Sequence, residues 1–192
     1  EAARKAGFHI EYYGKAGDYS LPAFTYRTEA PRAHCYVSAG VHGDEPAGPM
    51  AVLRMLRDKG FHPGINWDIV PLVNPLGLER KTRENADGID INRDYGAKNQ
   101  SNEAAAHLKW LGTRRYDMAL CLHEDYEGEG FYLYELYNPD TPASFARQIL
   151  EEVSGILPID PREEIDEMPA QSGLMHPPEH VRQPGRPDLP EA

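Results

Sequence analysis

Three short apolar runs constrain the fold of this chain more than any other feature: AHCYVSAG at 33–40, WDIVPLV at 67–73 and YDMALCLH at 116–123. Each is shorter than a buried helix and shows no polar alternation, the pattern of a strand covered on both faces. Helical patterns lie between them. In AGPMAVLRMLRDKG (47–60) the apolar residues Met50, Val52, Leu53 and Leu56 recur at helical spacing until Lys59 and Gly60 stop the run. SNEAAAHLKWL (101–111) opens on Ser101, a good helix cap. Buried strands alternating with helices predict an α/β fold with a mixed, mostly parallel central sheet flanked by helices.

The flanks extend that reading. FHIEYYG and FTYRTEA, on either side of the loop KAGDYSLPA, predict an N-terminal antiparallel pair. FYLYELY (131–137) predicts a fourth strand, and Thr141-Pro142 opens a helix, TPASFARQILEEV, in cap-then-proline order. From about residue 157 the periodicity stops. The stretch 157–192 has eight prolines and reads as an irregular segment that packs no core. At 192 residues the default is one domain over 1–192, able to bury roughly 70% of its unfolded surface.

Charge narrows the partners. A formal net charge of −11 with no Lys/Arg cluster excludes a basic footprint for nucleic acid or an anionic membrane. No stretch approaches the roughly 18 apolar residues of a membrane span. EAARKAGFHI lacks the apolar centre of a signal peptide, so a cytoplasmic location is expected for a chain that, beginning at Glu1, looks trimmed. Cys35 and Cys121 sit in apolar runs and read as buried thiols. Oligomeric state leaves no mark in the sequence.

Polar residues gather where the strands end. His42 and Glu45 follow the run at 33–40, the stretch NPLGLERKTRENADGIDINRDY (74–95) follows the second, and His123 closes the third. Open α/β sheets bind ligands at carboxyl edges, so three distant segments can meet there. Two imidazoles and a carboxylate form a ligand set for one catalytic zinc ion per chain, with a fourth position left for water. Arg83, Asn92 and Arg93 lie in the middle stretch, and arginine grips carboxylates bidentately at any working pH. An acidic chain needs such local positive charge to hold a substrate with a free carboxylate.

HGDE (42–45), NPLG (74–77), Arg83, DGIDINRDY (87–95) and LH (122–123), in this order, resemble the zinc metallocarboxypeptidases of the carboxypeptidase A-like family over about residues 33–137. The resemblance implies a zinc carboxypeptidase-like fold with His42, Glu45 and His123 as zinc ligands. It implies that Asn92 and Arg93 clamp the terminal carboxylate of a peptide, and that Arg83 polarises the scissile carbonyl and stabilises its oxyanion. The activity implied is removal of a C-terminal residue from a peptide, with cell-wall or γ-linked peptides among the candidates. Acyl-amino-acid deacylases resembling aspartoacylase and succinylglutamate desuccinylase share the zinc site and an Asn-Arg pair, and a non-catalytic zinc or peptide-binding module is the third reading.

The chain departs from that family in its last part. The family places its general-base glutamate on a late strand, shortly after a tyrosine, whereas here no strand is expected after 137 and no tyrosine follows Tyr137. The base is therefore expected beyond residue 192. Glu135 is the strand-borne glutamate after His123 and is a weak substitute. HPPEH (176–180) has metalloprotease spacing, but Pro177 and Pro178 forbid the helix it requires. HEDYEGEG (123–130) lacks EF-hand spacing, and its Glu124 and Asp125 read as solvated groups or as carboxylates orienting a ligand histidine.

Overall fold

The structure, a computed structural model, describes residues 1–98, 100–136 and 145–177. Two compact units divide between Glu124 and Asp125. In the first the elements run α1 (Ala2–Lys5), β1 (His9–Ala16), β2 (Tyr19–Tyr26), β3 (His34–Ala39), α2 (Ala47–Asp58), β4 (Asn66–Val70), α3 (Pro75–Arg80), α4 (Ile91–Asp94), α5 (Asn102–Leu111) and β5 (Met118–Leu122). The sheet order is β1-β2-β4-β3-β5. β3 runs parallel to β4 and β5, while β2 is antiparallel to β4 and to β1. The sheet is mixed, as expected, with its parallel part confined to β4-β3-β5.

β3 is the middle strand of the parallel part, and its alternation sorts two cores. Cys35, Val37 and Ala39 face one way and pack with Val52 and Leu56 of α2, Trp67, Ile69 and Phe8. Tyr36 faces the other way, among Val70, Val73, Ile91, Ala104, Trp110 and Leu111. Val52 and Leu56 are 0% and 3% exposed, so α2 buries that stripe, worth roughly 1.5–3 kcal/mol per side chain. Met50, read as part of the same stripe, is 60% exposed and lies off the packed face. Lys59, in a left-handed conformation (φ 54°), ends α2 where the sequence placed the stop.

The N-terminal pair is tighter than expected. The turn is Gly17-Asp18, with Gly17 at φ 56°, and most of the segment read as a loop belongs to β1 and β2. Leu21 and Ala23 are fully buried, which draws β2 into the sheet. Pro22 is tolerated because it faces Tyr12 at a bulge between Tyr12 and Gly14, where the ladder is already interrupted. The stretch 74–95, read as a long loop, contains two short helices. Asn74 caps α3 by accepting from Gly77 N at 2.9 Å, and Asp90 caps α4 by accepting from Asn92 N at 2.9 Å.

The second unit holds β6 (Leu133–Tyr134), α6 (Ala146–Ser154), β7 (Glu164–Ile165), β8 (Met168–Gln171) and β9 (Leu174–Met175), in the sheet order β6-β9-β8-β7. The strand expected over 131–137 is short, with a single further bridge from Phe131 to Ile159. Tyr137 and the helix start at Thr141-Pro142 lie outside the described residues. Residues 157–177, expected to be irregular and coreless, form three strands that bury Ile165, Leu174 and Met175 at 2%, 6% and 0% exposure. A further anchor is Asp160, fully buried and held by Arg162 in a forked pair at 2.6 to 3.1 Å. Among the described residues no helix is long and apolar enough to cross a membrane, and both cysteines are free thiols.

Candidate metal centre

Strand order decides where a site can form. From β3 the chain crosses to β4 on one side and then returns past β3 to β5 on the other, so its direction reverses at the carboxyl end of β3. Gly40, at φ 63°, turns the chain out of β3 into the loop that carries His42 and Glu45. His123 follows the end of β5, the neighbour of β3.

The three side chains meet. One donor atom from each of His42, Glu45 and His123 lies within 4.8 Å of the other two. His42 Nδ1 is 2.6 Å from Glu45 Oε1, and His123 Nδ1 is 2.9 Å from Glu45 Oε2. The backbone N–H of Glu124 donates to the same Oε2 at 3.1 Å. Burial alone would push the Glu45 carboxyl up. The hydrogen bonds from His123 and His42 more than offset it and hold the group at about 2, an ionised carboxylate. His42 is 2% exposed, so its ring is fixed by packing as well as by bonding.

Asp90 completes the cluster, and sequence reasoning gave it no role. His42 Nε2 lies 3.2 Å from Asp90 Oδ1, so the ring is held between two carboxylates, with Nδ1 turned toward Glu45. The other oxygen, Oδ2, accepts from Arg83 Nε at 3.0 Å. Burial raises the Asp90 carboxyl, but Arg83 and His42 outweigh burial and lower it. The signal was present as an acid two positions before Asn92 at a helix start, but only the fold reveals its histidine partner.

Arg83 sits at the rim with its side chain 40% exposed and Nη1 3.8 Å from Glu45 Oε1. Its carbonyl oxygen accepts from Gly43 N and Asn74 Nδ2, each at 3.4 Å. Asn92 and Arg93 lie on α4 immediately after Asp90. Among the described residues, the side-chain Oδ1 of Asn92 is buried with no hydrogen-bond partner, and Arg93 is exposed and forms no ion pair. Acidic neighbours among the described residues thus engage Arg83 but not Arg93.

The other candidates have structural employment. Glu124 accepts from Ala47 N at 2.9 Å at the start of α2, and the carboxylate against the His42 Nε2 is Asp90. Asp125 ties Glu127 N and the Tyr132 hydroxyl, closing a turn. Glu135 accepts from Ala146 N at 3.4 Å, at the first residue of α6, and stands near His176 at 3.9 Å. Residues 178–180 of HPPEH lie outside the described residues.

The donor set fits a divalent cation of the zinc class. Two imidazole nitrogens and one carboxylate oxygen converge, the buried histidine has its second nitrogen held by a carboxylate, and Glu45 and Asp90 against Arg83 leave one net negative charge for the cation to offset.

A family model described as the succinylglutamate desuccinylase/aspartoacylase catalytic domain matches residues 31–155. Carboxypeptidase SOL1 of Arabidopsis thaliana is 28% identical over 115 residues, and the match covers 50% of this chain and 23% of that protein. Among solved structures, a candidate metallopeptidase from Shewanella denitrificans OS217 superposes with a TM-score of 0.76 at 25% identity, covering 91% of this chain and 68% of that one. One from Shewanella baltica OS155 superposes at 0.75 with 28% identity, covering 91% and 70%. These likenesses give the chain a zinc carboxypeptidase-like fold with metallopeptidase relatives. The family match runs from the residues before β3 past β5, across both loops that carry the candidate ligands, and the chain belongs to the succinylglutamate desuccinylase/aspartoacylase catalytic-domain family.

Proposed function

We propose that the chain is a zinc-dependent hydrolase that cleaves an amide bond beside a free carboxylate, releasing the C-terminal residue of a peptide. The observation that carries this reading is the convergence of His42, Glu45 and His123 donor atoms within 4.8 Å. These three residues would hold zinc, which when bound would supply an acidified water and a polarised carbonyl. Asp90 keeps His42 oriented for that task, and Glu45 stays ionised. Arg83, anchored through Nε to Asp90, presents its outer N–H groups to the oxyanion that develops on the scissile carbonyl. Arg93, which pairs with no carboxylate among the described residues, grips the carboxylate of the substrate beside Asn92. All four carboxylates and imidazoles of the cluster are engaged with one another, so the water's proton goes to a base that we place outside this group.

The family description favours a second reading, cleavage of N-acyl amino acids, in which the same arginines hold the amino-acid carboxylate. A substrate panel separates the two. Zinc-loaded protein is given dipeptides, γ-linked peptides and N-acyl amino acids, before and after removal of the metal by a chelator. We expect metal-dependent release of a C-terminal amino acid. Cleavage confined to N-acyl amino acids would make the chain a deacylase, and no cleavage by folded, zinc-loaded protein extended past residue 192 to carry the expected base would reduce it to a binding module. A cytoplasmic setting suits either amidase reading.

A further inference from the structure

Gly43, between the two ligands of the metal loop, is not there for backbone freedom, since it is absent from the residues with positive φ. Space is what it provides. A Cβ at Gly43 would lie 1.9 Å from the carbonyl carbon of Gly77, 2.3 Å from Leu78 N and 2.4 Å from Gly77 Cα. All three are backbone atoms, so no rotamer change relieves the clash. Gly77 is equally constrained. Its own Cβ would lie 2.3 Å from Asn74 Nδ2, on the fully buried side chain that caps α3. The metal loop therefore lies backbone against backbone on the first turn of α3.

That contact closes a ring. Gly43 N donates to the carbonyl of Arg83 at 3.4 Å, Arg83 Nε donates to Asp90 Oδ2 at 3.0 Å, and Asp90 Oδ1 meets His42 Nε2 at 3.2 Å. The peptide bond from His42 to Gly43 completes the circuit. Asn74 braces it by donating to the same Arg83 carbonyl and by bonding through its own N–H to Gly40 O at 2.9 Å.

We infer that Gly43 is a positioning residue: its contact with Gly77 locks the metal-ligand loop and the Arg83 loop into one frame, so that the metal and the guanidinium are held in a fixed mutual geometry. This deepens the proposed function and rests on its metal reading. The ring is made of protein groups alone, which lets the two be tested apart.

The test compares Gly43→Ala with Gly60→Ala, a control whose Cβ would meet neighbours only at 3.7 Å or beyond. Each variant is first shown to unfold cooperatively. In metal-free protein, hydrogen exchange over residues 82–92 should accelerate in Gly43→Ala and stay at the parent rate in Gly60→Ala. In titrations, zinc affinity should fall roughly 10- to 100-fold in Gly43→Ala, with an altered visible spectrum of bound cobalt, and the control should match the parent. Unchanged exchange and an unchanged cobalt spectrum in a folded Gly43→Ala would overturn the inference. A parent that binds no zinc would sink the metal reading, and the exchange comparison would still decide the ring. Should Gly43→Ala not fold, the parent answers alone: the Gly43 amide must exchange in step with residues 82–85, and free exchange at Gly43 contradicts the lock.

Discussion

Asp90 is shared between His42, Arg83 and the start of α4. One oxygen serves His42 and the α4 backbone, the other serves Arg83. Asp90→Asn preserves the shape but removes the charge that fixes the histidine and the guanidinium together. Zinc affinity should drop by about tenfold or more, read by competition with a metal indicator, because carboxylates behind ligand histidines carry that much. Parent-like affinity would mean that packing alone orients His42. The two arginines should separate in kinetics. Arg83→Ala removes a donor at the oxyanion and should cost roughly 10² to 10³ in kcat, whereas Arg93→Ala should act mainly on KM. Equal effects of both on KM alone would contradict that division. The convergence of His42, Glu45 and His123 was legible in sequence, because all three follow strand ends on one edge of the sheet. Asp90 and Gly43 were not, because their roles are contacts with residues 48 and 34 positions away, to which local pattern is blind.

At the level of elements, α5 does more than cover the sheet. It carries His107, 1% exposed, with one ring nitrogen 2.7 Å from the Tyr36 hydroxyl of β3 and the other 2.7 Å from that of Tyr95, just after α4. Burial lowers its pKa from 6.5 to about 4, so the folded state holds the ring neutral. The unfolded chain takes up the proton first as pH falls. The stability contributed by neutral His107 is thus fully present above about pH 6.5 and lost progressively as pH drops toward 4, up to about 3 kcal/mol. Denaturation midpoints of metal-free protein should fall between pH 7 and pH 4.5, and His107→Gln should flatten that slope; a parallel slope in the variant would place the loss elsewhere. Elements were legible in proportion to their length. α2 and α5 announce themselves by periodicity and caps, but α3 and α4 are six and four residues, too short for a period to show. Asn74-Pro75 and Asp90 are cap signals that a closer reading of that stretch would have used.

For the molecule as a whole, the alternation of buried strands with helices carried the fold class and the edge where the site forms. The second unit was less legible. Its strands of two to four residues over 164–175 are stabilised by buried Ile165, Leu174 and Met175, which stand among prolines and polar residues without forming a pattern. Net charge is also a property of this scale. At −11 the chain sets up a negative field that draws cations inward. Zinc association should slow as added salt shortens the Debye length from about 30 Å to about 8 Å, and a salt-independent rate would mean that the local cluster alone governs capture.

The most direct measurement is the zinc content of folded, reloaded protein, compared among the parent, His123→Ala and His176→Ala. We expect one zinc per chain in the parent, lost in His123→Ala and retained in His176→Ala. Zinc retained in His123→Ala, or absent from the parent, would contradict a single centre built from the ends of β3 and β5.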